Sequence, residues 1–288
     1  MAAALYQPFP IAGSARGQIW RHQPSTRRPR HFHAEPELNL VTAGRGAFGF
    51  GGNTAEVATG DLLYWTPGQD HELLAASDDF DLFVIGLLPD FSERVLGAQA
   101  AASDRGPVWL RLSPAQLASI APQCLFPALH GDTVAKEVAV GDLWRLGHSF
   151  RATCSVVHAL TRRSLGFLND CPEISRDEIA RRSNASPGEI SRHFRRDMGL
   201  PLSAYRTRVR LLRFIHLVDA GNTFLHAALA AGFGSYSQCH RVFHATLACA
   251  PSVFFASPIR QVIEDAFAPF APSTRGNKSD FQRRQQPR

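Results

Sequence analysis

The chain has 288 residues, 44% hydrophobic and 19% charged, enough for two separate cores and too apolar for a wholly disordered protein. Its net charge of +6 favours a polyanionic partner, and arginine carries almost all of it, with lysine only at Lys136 and Lys278. The five cysteines (Cys124, Cys154, Cys171, Cys239, Cys249) form no C-x-x-C pair, which argues against a disulfide framework or thiolate zinc site and fits a reducing cytoplasm.

Residues 1–30 read as an irregular lead-in, with Pro8, Pro10, Pro24 and Pro29 among several arginines. The opening MAAALYQPFP has neither early positive charge nor a long apolar run, so no signal peptide and no contact with a membrane are expected. From about 31 to 90 the texture is strand and turn. ELNLVTAGRGAFGFGGNTAEVATGDLLYWTPGQDHELL breaks into short runs between Gly, Asn and Pro, and FDLFVIGLL follows as an apolar run. Short strands at close, even spacing predict a small barrel or jelly roll.

At the start of this region stands RHFHAEPE. On a strand, residues two apart share a face, so His31, His33 and Glu37 point one way, and a later strand and Pro-Gly turn bring up His71. Three imidazoles and a carboxylate suit Zn, Fe, Ni or Mn; the same residues could instead line a ligand pocket. Tyr64 and Trp65 alternate on their strand, so one of the two faces the cavity and could stack on a ligand. HFHAEPELNLVTAG resembles the first motif of the cupin fold, and Gly60, Pro67, Gly68 and His71 resemble its second motif with spacing off by one near the proline. The resemblance implies a cupin-like domain at 31–90, with an effector pocket at His31, His33, Glu37, Tyr64, Trp65 and His71.

Around residue 113 the period becomes helical. SPAQL combines an N-cap serine, a proline at the first helical position and a glutamine three residues after the cap. Residues 91–168 are read as a helical linker and a candidate homodimer contact, and 259–288, nearly free of apolar residues at the end, as a disordered tail.

Between these, the chain repeats itself. DEIARRSNASPGEISRHFRR and LHAALAAGFGSYSQCHRVFH each run from an alanine (Ala180, Ala228) to a small or turn-forming residue four on (Asn184, Gly232), a capping serine (Ser186, Ser235) and an Arg-x-Phe. A helix, a tight turn and a freshly capped second helix make a helix-turn-helix, here twice. PLSAYRTRVRLLRFIHLVDAG lies between, with Leu202, Tyr205, Val209 and Leu212 on one face. Roughly 20 residues at ~1.5 Å each make a rod of roughly 30 Å, close to the ~34 Å between major-groove faces on one side of B-DNA. Charge is uneven: ten arginines and five acids over 173–213, one of each over 214–258. The first unit should therefore anchor on phosphates and the second contribute less.

These stretches, with ISRHFRRDMG, LSAYRTRVRLL, AALAAGFGSYSQCHRVF and the closing APSVF, resemble the AraC family of bacterial transcription regulators over roughly 165–258. The resemblance implies a DNA-binding domain at 169–258. Ser186, Gly188, Ser191, Arg192, Arg195 and Arg196 would face DNA in the first unit, and Ser235, Tyr236, Ser237, His240 and Arg241 in the second. Arg192 and Arg241 suit guanine readout. This chain departs from the family at Asn184, at Ala248, at His244-Ala245-Thr246 and in lacking an arginine after Phe254. All but the first weaken the second unit's grip.

The expected fold is α+β, a cupin-like β-barrel followed by an all-α domain with two helix-turn-helix units. The expected function is a sequence-specific transcription regulator, not an enzyme. Its partners would be double-stranded DNA, a small-molecule effector and, for an activator, RNA polymerase. The competing reading is a cupin metalloenzyme of dioxygenase type with a helical appendage.

Overall fold

In a computed structural model of the chain, the residues described are 5–9, 16–22, 29–89, 91, 108–130, 137–145 and 157–256. The tail at 259–288 lies outside them, as do 92–107 and 146–156 of the linker. The first half is built of strands whose side chains alternate between two faces, antiparallel except for the short parallel pair β1–β3. They are β1 (Leu5–Tyr6), β2 (Gly17–His22), β3 (His31–Phe32), β4 (Glu37–Ala43), β5 (Arg45–Phe50), β6 (Asn53–Ala58), β7 (Asp61–Trp65), β8 (Glu72–Ala76), β9 (Asp81–Leu87) and β10 (Val108–Arg111). Five form one sheet in the order β10-β7-β4-β9-β2, and three form a second in the order β6-β5-β8. Leu63, Trp65, Val41, Leu82, Phe48, Val57 and Leu73 fill the space between the sheets. Leu38, Leu40, Leu62, Tyr64, Phe83 and Ile85 face the other way and pack beneath α1 (Pro114–His130) and α2 (137–145), through Ile120, Cys124, Leu143 and Trp144.

Two expected boundaries move. The lead-in contains β2, which pairs with β9 along its whole length from Gly17↔Leu87 to His22↔Leu82. It is an edge strand, where flanking prolines are tolerated because one side makes no ladder bonds. The linker contains β10, paired with β7 on the other edge. The barrel is therefore wider than 31–90, and its two edges come from segments read as irregular and helical. The helix predicted from Ser113 is present: Ser113 and Gln116 cap each other reciprocally.

The second half comprises α3 (Ala159–Asp170), α4 (Arg176–Arg182), α5 (Pro187–Met198), α6 (Leu202–Asp219), α7 (Phe224–Ala230), α8 (Tyr236–Leu247) and α9 (Pro251–Ala256). α4 and α5 form the first helix-turn-helix, α7 and α8 the second. Each unit has its own core. Ile179, Ala180, Ile190 and Phe194 fill the first, and Ala227, Ala228, Phe233 and Phe243 the second. The spacer α6 serves both, giving Leu202 and Tyr205 to the first and Leu211, Phe214 and Ile215 to the second. Ser186 and Glu189 make a full capping box at α5. Ser235 caps α8, but Gln238 accepts from Gly234 N rather than from the cap residue, so the second box is incomplete.

Candidate functional site

His31, His33, Glu37 and His71 converge inside the barrel, all buried, with ligand-capable atoms within 4.8 Å of one another. β3 and the following turn supply the first two, β4 begins at Glu37, and a bridge between His31 and His71 closes the group. Each ring turns Nδ1 toward a backbone carbonyl: His31 to Pro29 at 2.8 Å, His33 to Glu35 at 2.8 Å and His71 to Gln69 at 3.3 Å. A carbonyl only accepts, so Nδ1 carries the proton and a neutral ring presents a lone pair at Nε2. Yet Nε2 of His33 and of His71 lie 2.9 and 3.0 Å from Glu37 Oε2. Lone pairs do not face a carboxylate oxygen at that distance without positive charge between or upon them. The cluster therefore calls for imidazolium rings or a bound cation. Ligands on opposite sides of an ion at 2.0–2.2 Å sit roughly 4.2 Å apart, so the four side chains fit a metal with little movement. Burial alone would raise Glu37, but His71 and His33 outweigh it and hold the carboxyl well below the usual range.

Sequence reading missed the support for this carboxylate. Asn39 donates to Glu37 Oε1 at 2.6 Å and accepts from Trp65 Nε1 at 2.7 Å. Asn39 shares a strand face with Glu37, a signal that period two carries. Trp65 is the inward member of the aromatic pair, its indole stacked on His71 at 4.8 Å. Tyr64 packs outward against Trp144, away from the histidines. A cavity of about 40 Å³ beside the cluster is lined by His22, His31, Glu37, Asn39 and His71 among others.

On the helical half, Ser186, Gly188, Arg192, Arg195, Ser235, Ser237 and Arg241 are exposed, and Ser191, Tyr236 and His240 partly so. Ser191 Oγ donates back to Pro187 O, and the Tyr236 ring lies parallel to Phe224. Arg192, Arg195 and Arg241 form no hydrogen bond or ion pair among the described residues. Other arginines are committed elsewhere. Arg181 and Arg182 hold Glu178, Arg206 donates to Ile174 O, and Arg210 to Pro172 O. Arg196 is also exposed, with its Nε on Asp197 at 2.8 Å, and its backbone O accepts from Asn53.

Among the described residues the halves meet where Tyr6 lies against Phe254, where Asn53 donates to Arg196 O, and at two further places. Gly51, in the β5–β6 turn, and Gly199, the α5 C-cap, touch backbone to backbone at φ 60° and 70°. A Cβ on either would lie 2.2 Å from the other's Cα. The second place is Arg208 on α6. It donates to Gly68 O at 3.0 Å and to the wholly buried Asp70 at 2.5 Å, and lies 4.7 Å from the Phe32 ring centroid. Arg30 also pairs with Asp70, and Tyr205 donates to Pro67 O at 2.7 Å. Burial would raise Asp70, but Arg208 and Arg30 hold it below the usual carboxylate range. Arg208 carries no local sign of this role, since it is one of several arginines along the spacer. The structure buries most of it because Asp70 needs a counter-charge.

A family model described as an AraC-like ligand binding domain matches residues 14–137, and one described as a helix-turn-helix domain matches 179–257. A search of curated proteins gave no match. Among solved structures, ToxT from Vibrio cholerae is 13% identical over 84% of this chain and 98% of that one, with a TM-score of 0.41. The AraC-like transcriptional activator CuxR is 10% identical over 75% and 78%, at 0.32. An oxalate decarboxylase from Bacillus subtilis is 22% identical over 26% and 22%, at 0.23. Scores this low leave the assignment to the two sequence models, whose order along the chain matches that of the barrel and the paired helical units.

Proposed function

The chain belongs to the AraC family of transcription regulators, and we propose that its two capped helices α5 and α8 read successive major grooves while the barrel reports the state of a small ligand or cation. The observation that carries the DNA half is the division among its arginines. Arg192, Arg195 and Arg241 stand exposed and uncommitted among the described residues, on the helices that the repeat presents together. Arg192 and Arg241 are the residues proposed for bases, Arg195 for phosphate.

Barrel and helices are coupled in this reading through Arg208. The residues it grips are chain neighbours of the cluster: Phe32 lies between His31 and His33, and Asp70 precedes His71. Any shift of those side chains on binding a cation reaches α6, which sets the position of both recognition helices. The cluster is proposed to take a divalent ion of the Zn, Fe, Ni or Mn class, held by His31, His33, Glu37 and His71, with Asn39 fixing the carboxylate. The enzyme reading is disfavoured because it leaves the match of 179–257 to a helix-turn-helix domain without a role.

The test is a gel shift of the full-length protein against fragments of the promoter adjacent to its own gene. A discrete preferred fragment is expected. Arg192→Ala and Arg241→Ala should each lose about 1–3 kcal/mol of discrimination at one position. Equal binding to all fragments at every salt concentration contradicts the reading.

A further inference from the structure

α3 belongs to neither helix-turn-helix, yet its first turn is fastened to the first recognition helix, α5, by two histidines. The ring of His158, which caps α3, lies on the ring of His193 of α5, with centroids 3.7 Å apart and planes within 15°. Beside the stack, Asp197 Oδ2 of α5 accepts from His158 N at 2.8 Å and from Thr161 Oγ at 2.6 Å. Neither ring has a place for a second proton. His158 Nδ1 accepts from Leu160 N at 3.2 Å; an imidazolium has no lone pair to offer there and would put a positive charge on a helix N-terminus. His193 Nδ1 is buried with no hydrogen-bond partner among the described residues, so a proton there would strand a charged donor. Burial holds His193 below the usual imidazole value, and His158, Arg196 and Arg192 act in the same direction against Asp197. Glu189, the other acid near it on α5, is engaged by Ser186, and Arg162, one turn along α3 from His158, is a further positive charge. The other helices packed on α5 direct their charges elsewhere: on α4 Arg181 and Arg182 hold Glu178, and on α6 Arg206, Arg208 and Arg210 donate to Ile174 O, Asp70 and Pro172 O. The barrel meets the end of α5 through Gly51 and Asn53, which carry no charge.

We propose that His158 is a positioning residue for DNA reading and that its stack on His193 is an acid-sensitive fastening, holding α5 against α3 while both rings are neutral and releasing it when either takes a proton. The sign follows from the geometry. An imidazole freed from the stack titrates at about 6.5, whereas the closed pair resists protonation. The open form therefore binds more protons, so closure is fully present above about 6.5 and is lost as pH falls below it. One proton taken up only by the open form shifts the equilibrium about tenfold at one pH unit below that value. α5 carries Arg192 and Arg195, so its release loosens the placement of both against a groove. The DNA role rests on the reading of α5 as a recognition helix; the fastening itself does not.

The experiment is amide hydrogen exchange on the full-length protein from about pH 7.5 to about pH 5.5, corrected for intrinsic rates, with operator affinity measured on the same preparations. The parent is compared with a His158→Asn/His193→Phe double variant, in which Asn keeps the cap acceptor, Phe keeps a flat ring and neither titrates. The histidines of the barrel and of the second unit titrate alike in both proteins, so a difference belongs to the pair. In the parent, protection of the Leu160 and Arg162 amides, bonded to His158 Nδ1 and His158 O, should fall about tenfold, and operator affinity should fall relative to the variant. In the variant that protection should hold. Parent protection that does not fall, or an equal fall of protection or of operator affinity in both proteins, overturns the proposal. Histidine ring NMR on the parent, assigned with His193→Phe, needs no double variant: His193 should titrate below the usual imidazole value, and titration at or above it also overturns the proposal. Fragment-selective DNA binding with the exchange result absent would sink this inference alone. No DNA selectivity at any pH, with exchange as expected, would overturn the DNA role together with the regulator reading beneath it.

Discussion

Glu37 Oε2 lies against two rings whose other nitrogens already face carbonyls, a geometry that either charged imidazoles or a cation would satisfy. His33→Ala and Glu37→Gln are each expected to remove the metal that elemental analysis finds in untagged full-length protein. Asn39→Ala should keep it at roughly 10–100-fold lower affinity, because a second-layer partner orients a ligand without being one. No metal in the parent protein would contradict this. The grouping was legible in the sequence from H-x-H and the glutamate, but not through one strand face as expected: β3 ends at Phe32, His33 lies in the turn, and β4 begins at Glu37. The Asn39–Trp65 relay was only half legible, since the two meet across a strand pairing that no local spacing encodes. Whether Tyr64 or Trp65 faces inward likewise depends on register, and adjacent residues cannot settle it. Ala248 illustrates a readable oddity. It caps α8 at φ 59°, a left-handed position that disfavours any side chain with a Cβ. Ala248→Gly should raise stability by about 0.5–1 kcal/mol in urea denaturation, and a loss would show that its methyl packs usefully.

The helices declared themselves through their ends. Ser186 with Glu189, Ser235, Gly199 and Gly221 start or stop elements where the repeat requires, and each is visible one residue at a time. The strands at the barrel's two edges did not. β2 has no turn signal of its own, and β10 spans only four residues beside a helix start. Their partners, β9 and β7, are far away in the chain, and pairing alone defines them. Elements also sort the arginines. Arg195 on α5 is exposed, whereas Arg206 on α6 is tied to Ile174 O. Arg195→Ala should lower the salt slope of DNA binding by about one, the value of a lost phosphate contact. Arg206→Ala should leave the slope unchanged. Equal effects would mean that α6, not α5, lies along the phosphates.

Across the whole molecule, the contacts between the halves among the described residues include the Gly51–Gly199 approach, Asn53 on Arg196 O, Tyr6 against Phe254, and Arg208 between Phe32 and Asp70. Arg208→Gln should leave metal content intact while reducing any effect of chelator on operator affinity. A full chelator response in that variant would place the coupling elsewhere. Nothing of this junction was legible, since Gly51 and Gly199 lie in different halves and each has an ordinary local reason to be glycine. The two-domain plan was legible, because each half has its own period and its own core.

The measurement that bears most directly on DNA-reading controlled from the barrel is the ratio of operator to non-specific DNA affinity for the full-length protein at physiological salt. A ratio of about 10³ or more is expected, falling sharply in Arg192→Ala. A ratio near one, unchanged by that substitution, would contradict sequence reading by these helices and leave only a basic surface.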